Sequence, residues 1–366
     1  AFWGIVLISS PFRKNRAKHF LGLFMFAAFL LYLAHALFFK QKLGAYLFMD
    51  PVYIFASLSV YPLYYWYIKL LTIETRINFR NLWLLAPAVC FSLTAIIFYI
   101  FMTKSERASY LYEFLTERSR FSELTLLPKL QAGFFILGRL VFTIQVLFFL
   151  FIGKKLVKNY NTRVANFYSN LENKTIIWVK YLLYSFVATS MASILFNIIG
   201  RSVFIEHNSW LLFPSLIFSV LLFFIGFQGY LQNHTVQELE KDETQEQLQK
   251  INKWNSNELK KALLDLFQKE KIHCDPNLKI THISTRLKTN RTYISKLINY
   301  EFKTTFSDFV NRYRVEEAKN LLAEHYPENY SMNYISETAG FGSLSTFIRI
   351  FKKSTGITPG KYHRGL

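Results

Sequence analysis

Six apolar runs follow one another in the first 230 residues of this chain, near positions 20–39, 51–71, 82–102, 134–153, 176–200 and 210–230. Each can cross a hydrocarbon core, which takes about 20 helical residues. The composition, 52% hydrophobic with 38 Phe and 22 Tyr, supplies more apolar surface than a soluble chain of this length can bury. These runs predict a polytopic transmembrane helical bundle. The preceding AFWGIVLISS has only ten residues before the basic RKNRAK, too few to span. It reads as the inner half of a first crossing that begins outside this chain, giving six full helices plus a partial first one. The rival reading, a cleaved signal peptide, would carry its positive charge before the apolar core.

Orientation follows from where Lys and Arg gather, because short cytoplasmic loops hold the excess. With RKNRAK inside, the alternate segments hold 12 basic residues: Arg13, Lys14, Arg16, Lys18, Lys69, Arg76, Arg80, Lys154, Lys155, Lys158, Arg163 and Lys174. The opposite loops hold 8: Lys40, Lys42, Lys104, Arg107, Arg118, Arg120, Lys129 and Arg201. Everything after Tyr230 then lies in the cytoplasm. Trp66, Trp83, Trp178 and Trp210 sit near helix ends, as an interfacial aromatic belt requires.

Two cysteines, Cys90 and Cys274, give neither a disulfide framework nor a zinc pattern. No glycine-rich phosphate loop, metal-ligand spacing or nucleophile elbow is present, so the chain reads as a non-enzyme with no cofactor and no metal. After Tyr230 the composition turns polar. Residues 231–258 lack Gly and Pro and are rich in Glu, Gln and Lys, which predicts a helical connector with only a weak heptad seam at Val236 and Leu239. A globular domain over 259–366 begins at Leu259, Leu263, Leu266 and Phe267. Residues 250–366 carry 20 Lys and Arg against 11 Asp and Glu, a net charge of +9.

Within that domain two helix-turn-helix patterns follow one another. In HISTRLKTNRTYISKLINYEF, Ile283 and Leu287 make the apolar side of a short helix, Asn290 is an N-cap, and Ile294, Leu297 and Ile298 form the buried stripe of the next. The opposite face, Thr292, Ser295, Lys296 and Asn299, is polar and partly cationic, as entry into a major groove requires. In SMNYISETAGFGSLSTFIRIFKKSTGITPGKY, a short helix through Met332, Ile335 and Thr338 leads to a turn at Gly340–Gly342 and an N-cap at Ser343. Phe347, Ile350 and Phe351 then face inward.

Gly340-Phe341, FIRIFKKSTGITPGKY and RYRVEEAKNLL, over about the last 90 residues, resemble the AraC/XylS family of transcription regulators. The resemblance implies a seven-helix domain whose two recognition helices enter successive major-groove segments of duplex DNA, about 34 Å apart. By that resemblance, base-reading positions fall on Thr292, Ser295, Lys296, Leu344, Ser345 and Arg349, and phosphate contacts on Arg291, Thr346, Lys352 and Lys353. Arg314 matches a structural arginine of the joining helix. Ser284 and Ser336 stand where alanine usually packs, and Lys303 where glycine usually ends the first recognition helix, at a cost of about 1 kcal/mol. Leu344 and Ile348 replace polar residues on the second reading face, which shifts its contacts toward thymine methyls.

As a whole the chain resembles membrane-embedded AraC-type regulators of the Bacteroidetes kind. The expected fold is all-α: a transmembrane bundle (1–230), a connector (231–258) and a cytoplasmic double helix-turn-helix domain (259–366). The expected function is a regulator in the bacterial inner membrane that couples an extracytoplasmic or membrane signal to transcription, with DNA, the lipid bilayer, RNA polymerase, a small-molecule signal and a second copy as partners. The alternative is a transporter or channel with a regulatory DNA-binding tail. His35, Arg139 and Asn197 fall in the outer leaflet and read either as a polar signal pocket or as snorkelling and interhelical hydrogen bonding. The outer loop around Leu111, Phe114, Leu115 and Phe121 reads either as an amphipathic helix resting on the bilayer or as a lid. Pro62 and Pro87 are expected as isolated kinks.

Overall fold

The computed structural model describes residues 1–10, 16–73, 79–117, 124–172, 174–176, 178–179, 184, 188, 208–232, 236, 239–240, 255–324 and 331–365. Among them all regular structure is helical, apart from one isolated bridge between Tyr168 and Lys279. The chain divides into two compact units. One is Ala1–Val157 with Ile177–Val236; the other is Lys158–Ile176 with Gln237–Leu366.

The first unit contains α1 (Phe2–Ile8), α2 (Arg16–Phe39), α3 (Leu43–Thr72), α4 (Ala86–Phe101, entered through a 3-10 turn at Phe79–Leu85), α5 (Lys104–Ser109), most of α6 (Leu126–Phe167) and α7 (Leu212–Leu231). Five stretches are long and apolar enough to cross a membrane: Arg16–Phe39, Leu43–Thr72, Phe79–Phe101, Leu126–Phe167 and Ser209–Leu231. The crossing expected at 176–200, with Asn197, lies outside the described residues, as does most of the connector. Leu93, Ile97 and Ile100 on α4, Leu140, Ile144 and Leu147 on α6, and Leu216, Val220 and Phe223 on α7 expose large apolar side chains along their helices. Water penalises so much exposed apolar surface, whereas lipid does not.

Small residues set the helix spacing. A Cβ on Gly22 would stand 3.1 Å from the Gly4 carbonyl oxygen and 3.2 Å from the Ile8 amide nitrogen, so the close approach of α1 to α2 rests on glycine at position 22. Ala88 and Ala95 of α4 are buried against Ile54 and Leu58 of α3. Pro62 lies inside α3, but Pro87 sits in the first turn of α4, where its missing N–H leaves no bond unmade. Position 87 is a helix start, not the kink expected of it.

The outer segment also differs from one of its expected readings. Thr103 and Glu106 close a capping box at the start of α5, and the chain continues as a π-helical turn over Tyr110–Glu117. Leu111 and Leu115 are buried with Phe38, Tyr46, Tyr99 and Tyr110 in one cluster, and Phe114 packs against it. This apolar side is therefore covered by protein, not laid on a bilayer. Phe121 lies outside the described residues. The same cluster surrounds a carboxylate that the sequence reading did not single out. Asp50, fully buried on α3, accepts hydrogen bonds from Tyr46 Oη at 3.1 Å and Tyr99 Oη at 2.8 Å. It stands one position before the apolar run at 51–71, and Tyr99 lies 49 positions away.

Helix α6 runs for 42 residues, about 63 Å at 1.5 Å per residue, twice the thickness of a hydrocarbon core. It does not stop near 153 because no Gly or Pro follows Gly153 before its end and because Val157, Tyr160, Val164 and Phe167 recur on one face. All four are buried.

Candidate nucleic-acid interface

In the second unit the end of α6 is joined by α8 (Ser256–Gln268), α9 (Ile280–Arg286), α10 (Arg291–Glu301), α11 (Phe306–Glu324), α12 (Met332–Thr338), α13 (Leu344–Thr355) and α14 (Pro359–His363). The seven helices from α8 to α14 match the number that the resemblance implied.

Asn290 caps α10, its side-chain oxygen accepting from the Thr292 amide at 2.7 Å, and Ile294, Leu297 and Ile298 turn inward. That fixes which face stays outside. Thr292, Lys296 and Asn299 are exposed, and Ser295 is half-buried, accepting from Asn299 Nδ2 at 3.3 Å. Arg291 is also half-buried, its guanidinium 5.7 Å from the centre of the Phe167 ring. Lys303 adopts the left-handed conformation, φ 49°, at the end of the first recognition helix, the position where the resemblance calls for glycine.

The second motif repeats the construction. Ser331 caps α12, and Ser343 caps α13 through the Thr346 amide at 3.3 Å. Phe347 and Phe351 are fully buried with Val315, Ala318, Leu322 and Ile335, and Ile350 packs beside them. Ser345, Arg349, Lys352 and Lys353 are exposed, and Lys353 Nζ stands 3.5 Å from an Asp308 carboxylate oxygen. Leu344 is packed, half-buried, against the motif's own core, so only part of it is presented outward. Ser284 and Ser336 are both buried. Ser284 donates to the Thr281 carbonyl at 3.0 Å.

The joining helix α11 carries Arg314, the largest side chain in the chain's fully buried set. Its Nε donates to the His273 carbonyl at 2.8 Å, and one terminal nitrogen donates to the Asp275 carbonyl at 2.7 Å and to Ser169 Oγ at 3.0 Å. Burial pulls the guanidinium down to about 10, which leaves it charged at neutral pH. Burial likewise pushes the His273 imidazole down to about 4, so it is neutral at pH 7, stacked on Phe267 and tilted on Tyr313. Burial raises the Cys274 thiol as well. The pair His273–Cys274 is thus structural. Among the described residues no group of His, Cys, Asp and Glu has the arrangement of a metal site.

Of the three residues expected to form a signal pocket, Asn197 lies outside the described residues. His35 is exposed on α2, its ring against Phe39 and Tyr53, and Arg139 is half-buried on α6 with its guanidinium 4.5 Å above Phe135. Tyr53 and Phe135 both border the cluster around Asp50.

Residues 283–365 match the model of the helix-turn-helix domain family. Three Bacillus subtilis proteins are similar over part of the chain. The HTH-type transcriptional regulator YtdP is 36% identical over 90 residues, 25% of this chain and 11% of that protein. The HTH-type transcriptional regulator YisR is 30% identical over 92 residues, 25% of this chain and 31% of that protein. The transcriptional regulatory protein YesN is 34% identical over 92 residues, 25% of this chain and 24% of that protein. The chain therefore spans less than a third of the length of each. Two capped recognition helices held by one joining helix, together with these matches, identify the C-terminal end of this chain as a helix-turn-helix domain of the AraC type.

Proposed function

We propose that this chain is a membrane-embedded transcription regulator that binds duplex DNA through α10 and α13. The observation that carries the reading is a pair of capped helices in one unit, each burying an apolar stripe and exposing polar and cationic residues, in a chain with five helices of bilayer length among its described residues. In this reading Thr292, Ser295, Lys296, Leu344, Ser345 and Arg349 read base edges, while Arg291, Thr346, Lys352 and Lys353 meet phosphates. The protein lies in the bacterial inner membrane with its C-terminus in the cytoplasm. An extracytoplasmic signal, received near the Asp50 cluster, His35 and Arg139, shifts a two-state helix arrangement, and RNA polymerase and a second copy complete the regulatory assembly.

The test uses the full chain in lipid nanodiscs. Arg349→Ala is expected to cost about 1–3 kcal/mol of DNA binding and to relax preference at one base position, whereas Lys352→Ala weakens all sequences alike and lowers the salt slope. Titrations that show no loss for either change would remove these assignments. Topology is checked separately. A reporter active only outside the cytoplasm is expected to stay silent when fused after Leu366 and to be active when inserted after Glu117. The reverse pattern overturns the orientation.

A further inference from the structure

We infer that residues 158–172 are an internal competitor of DNA, standing before the outer face of α10 and seated on the start of α13, and that the regulator binds DNA only when this segment leaves. The inference rests on the proposal that α10 and α13 bind DNA, and it adds what holds them idle.

The segment belongs to the same compact unit as α8–α14. Its anchor is Ser169, which is buried. The Ser169 amide donates to the Leu278 carbonyl at 3.1 Å, and its carbonyl accepts from Ser307 Oγ at 2.8 Å. Its hydroxyl accepts from Arg314 at 3.0 Å. On one side of the anchor, Asn159 and Arg163 at the end of α6 face Thr292, Ser295 and Lys296 across a cleft of about 560 Å³. A cleft of that size does not admit a duplex, whose major groove alone is about 12 Å wide. On the other side, Glu172 Oε2 accepts from Ser343 Oγ at 2.8 Å and from Thr346 Oγ1 at 3.2 Å. A carboxylate thus occupies the capped start of α13, where a backbone phosphate is expected, and offers the same negative oxygen to the same donors. Asn170 lies so close over Gly342 that a Cβ there would overlap its amide.

The geometry explains why one segment suffices. DNA needs the outer face of α10 and the start of α13 together, and the segment stands before one with the end of a helix and occupies the other with an acid. The segment starts in the last turns of α6 and continues past its end at Phe167 to Ser169 and Glu172.

The test uses the full chain in nanodiscs and a fluorescent, mixed-sequence duplex long enough for two successive major-groove segments. Two variants are compared with the unaltered chain. Glu172→Gln removes the charge that stands in for phosphate and is expected to tighten DNA binding at least fivefold. The double variant Asn170→Cys/Gly342→Cys places two thiols within disulfide reach, since the Cβ of position 342 would stand 2.9 Å from Asn170 Cγ. Once oxidised it is expected to lose DNA binding at least tenfold, with recovery on adding reductant. If the oxidised, cross-linked protein binds DNA as well as its reduced form, or if Glu172→Gln leaves affinity unchanged, the competitor is overturned while the DNA-binding reading stands. If neither the unaltered chain nor any reduced variant binds duplex, the DNA-binding reading itself fails and the competitor with it.

Discussion

Replacing Arg314 by alanine should destabilise the C-terminal unit by about 3–5 kcal/mol, from the buried hydrogen bonds lost and the cavity left by so large a side chain. The guanidinium spans the gap between α11 and the 273–275 turn. Its loss takes away the arginine donor of the His273 carbonyl, leaves the Asp275 carbonyl with the Leu278 amide at 3.2 Å, and opens a cavity. Arg314→Lys keeps the charge but offers a single nitrogen in place of the planar fork, so it should recover only part of the loss. Hydrogen exchange at α11 in the intact chain, or pulse proteolysis with denaturant, reads the effect directly. A loss under 1 kcal/mol for Arg314→Ala would mean that the turn is held by something else.

The same turn makes Gly340 irreplaceable. Gly340 has φ +83°, where an alanine pays about 1–2 kcal/mol, and its Cβ would stand 2.6 Å from the backbone carbon and oxygen of Cys274. Backbone cannot rotate out of the way as a side chain can, so the turn between α12 and α13 must shift and carry the second recognition helix with it. Gly340→Ala is expected to cost about 3 kcal/mol or more and to abolish DNA binding. Gly356 supplies the control. It has the same φ of +83° at the end of α13 but open space around its Cβ, so Gly356→Ala should cost only about 1 kcal/mol. Equal losses at the two positions would show that conformation, not the approach of Cys274, sets the requirement. Lys271, Lys288 and Lys303 already adopt φ 49°, which shows that this fold accepts side chains in left-handed positions.

The DNA-binding unit was legible because its signals are local. Asn290 and Ser343 cap the helices they were expected to cap, and the stripes at Ile294, Leu297, Ile298 and at Phe347, Phe351 are buried. An N-cap needs only the amides two or three residues onward, and a stripe needs only the period of 3.6, so both are written into consecutive residues. Five of the apolar runs likewise became helices by length and hydropathy alone.

Reading failed where the meaning of a residue depends on a distant partner. Asp50 stands at the edge of an apolar run and gains its environment from Tyr99, 49 positions away. The segment after Gly153 looked like a basic loop because Lys154, Lys155, Lys158 and Arg163 dominate its composition. Its stripe of Val157, Tyr160, Val164 and Phe167 was nonetheless in plain view, and a count of apolar spacing would have carried α6 onward to Phe167. No count would have placed Ser169 on Arg314 or Glu172 on Ser343, 145 and 171 positions apart. The sequence by itself determined the helices, their caps, the apolar spans and the two recognition motifs, because propensity and periodicity act over a few residues. Only the tertiary structure decided that an acid and a serine beyond the end of α6 dock on the DNA-binding unit, because such pairings depend on which surfaces meet once the helices have packed.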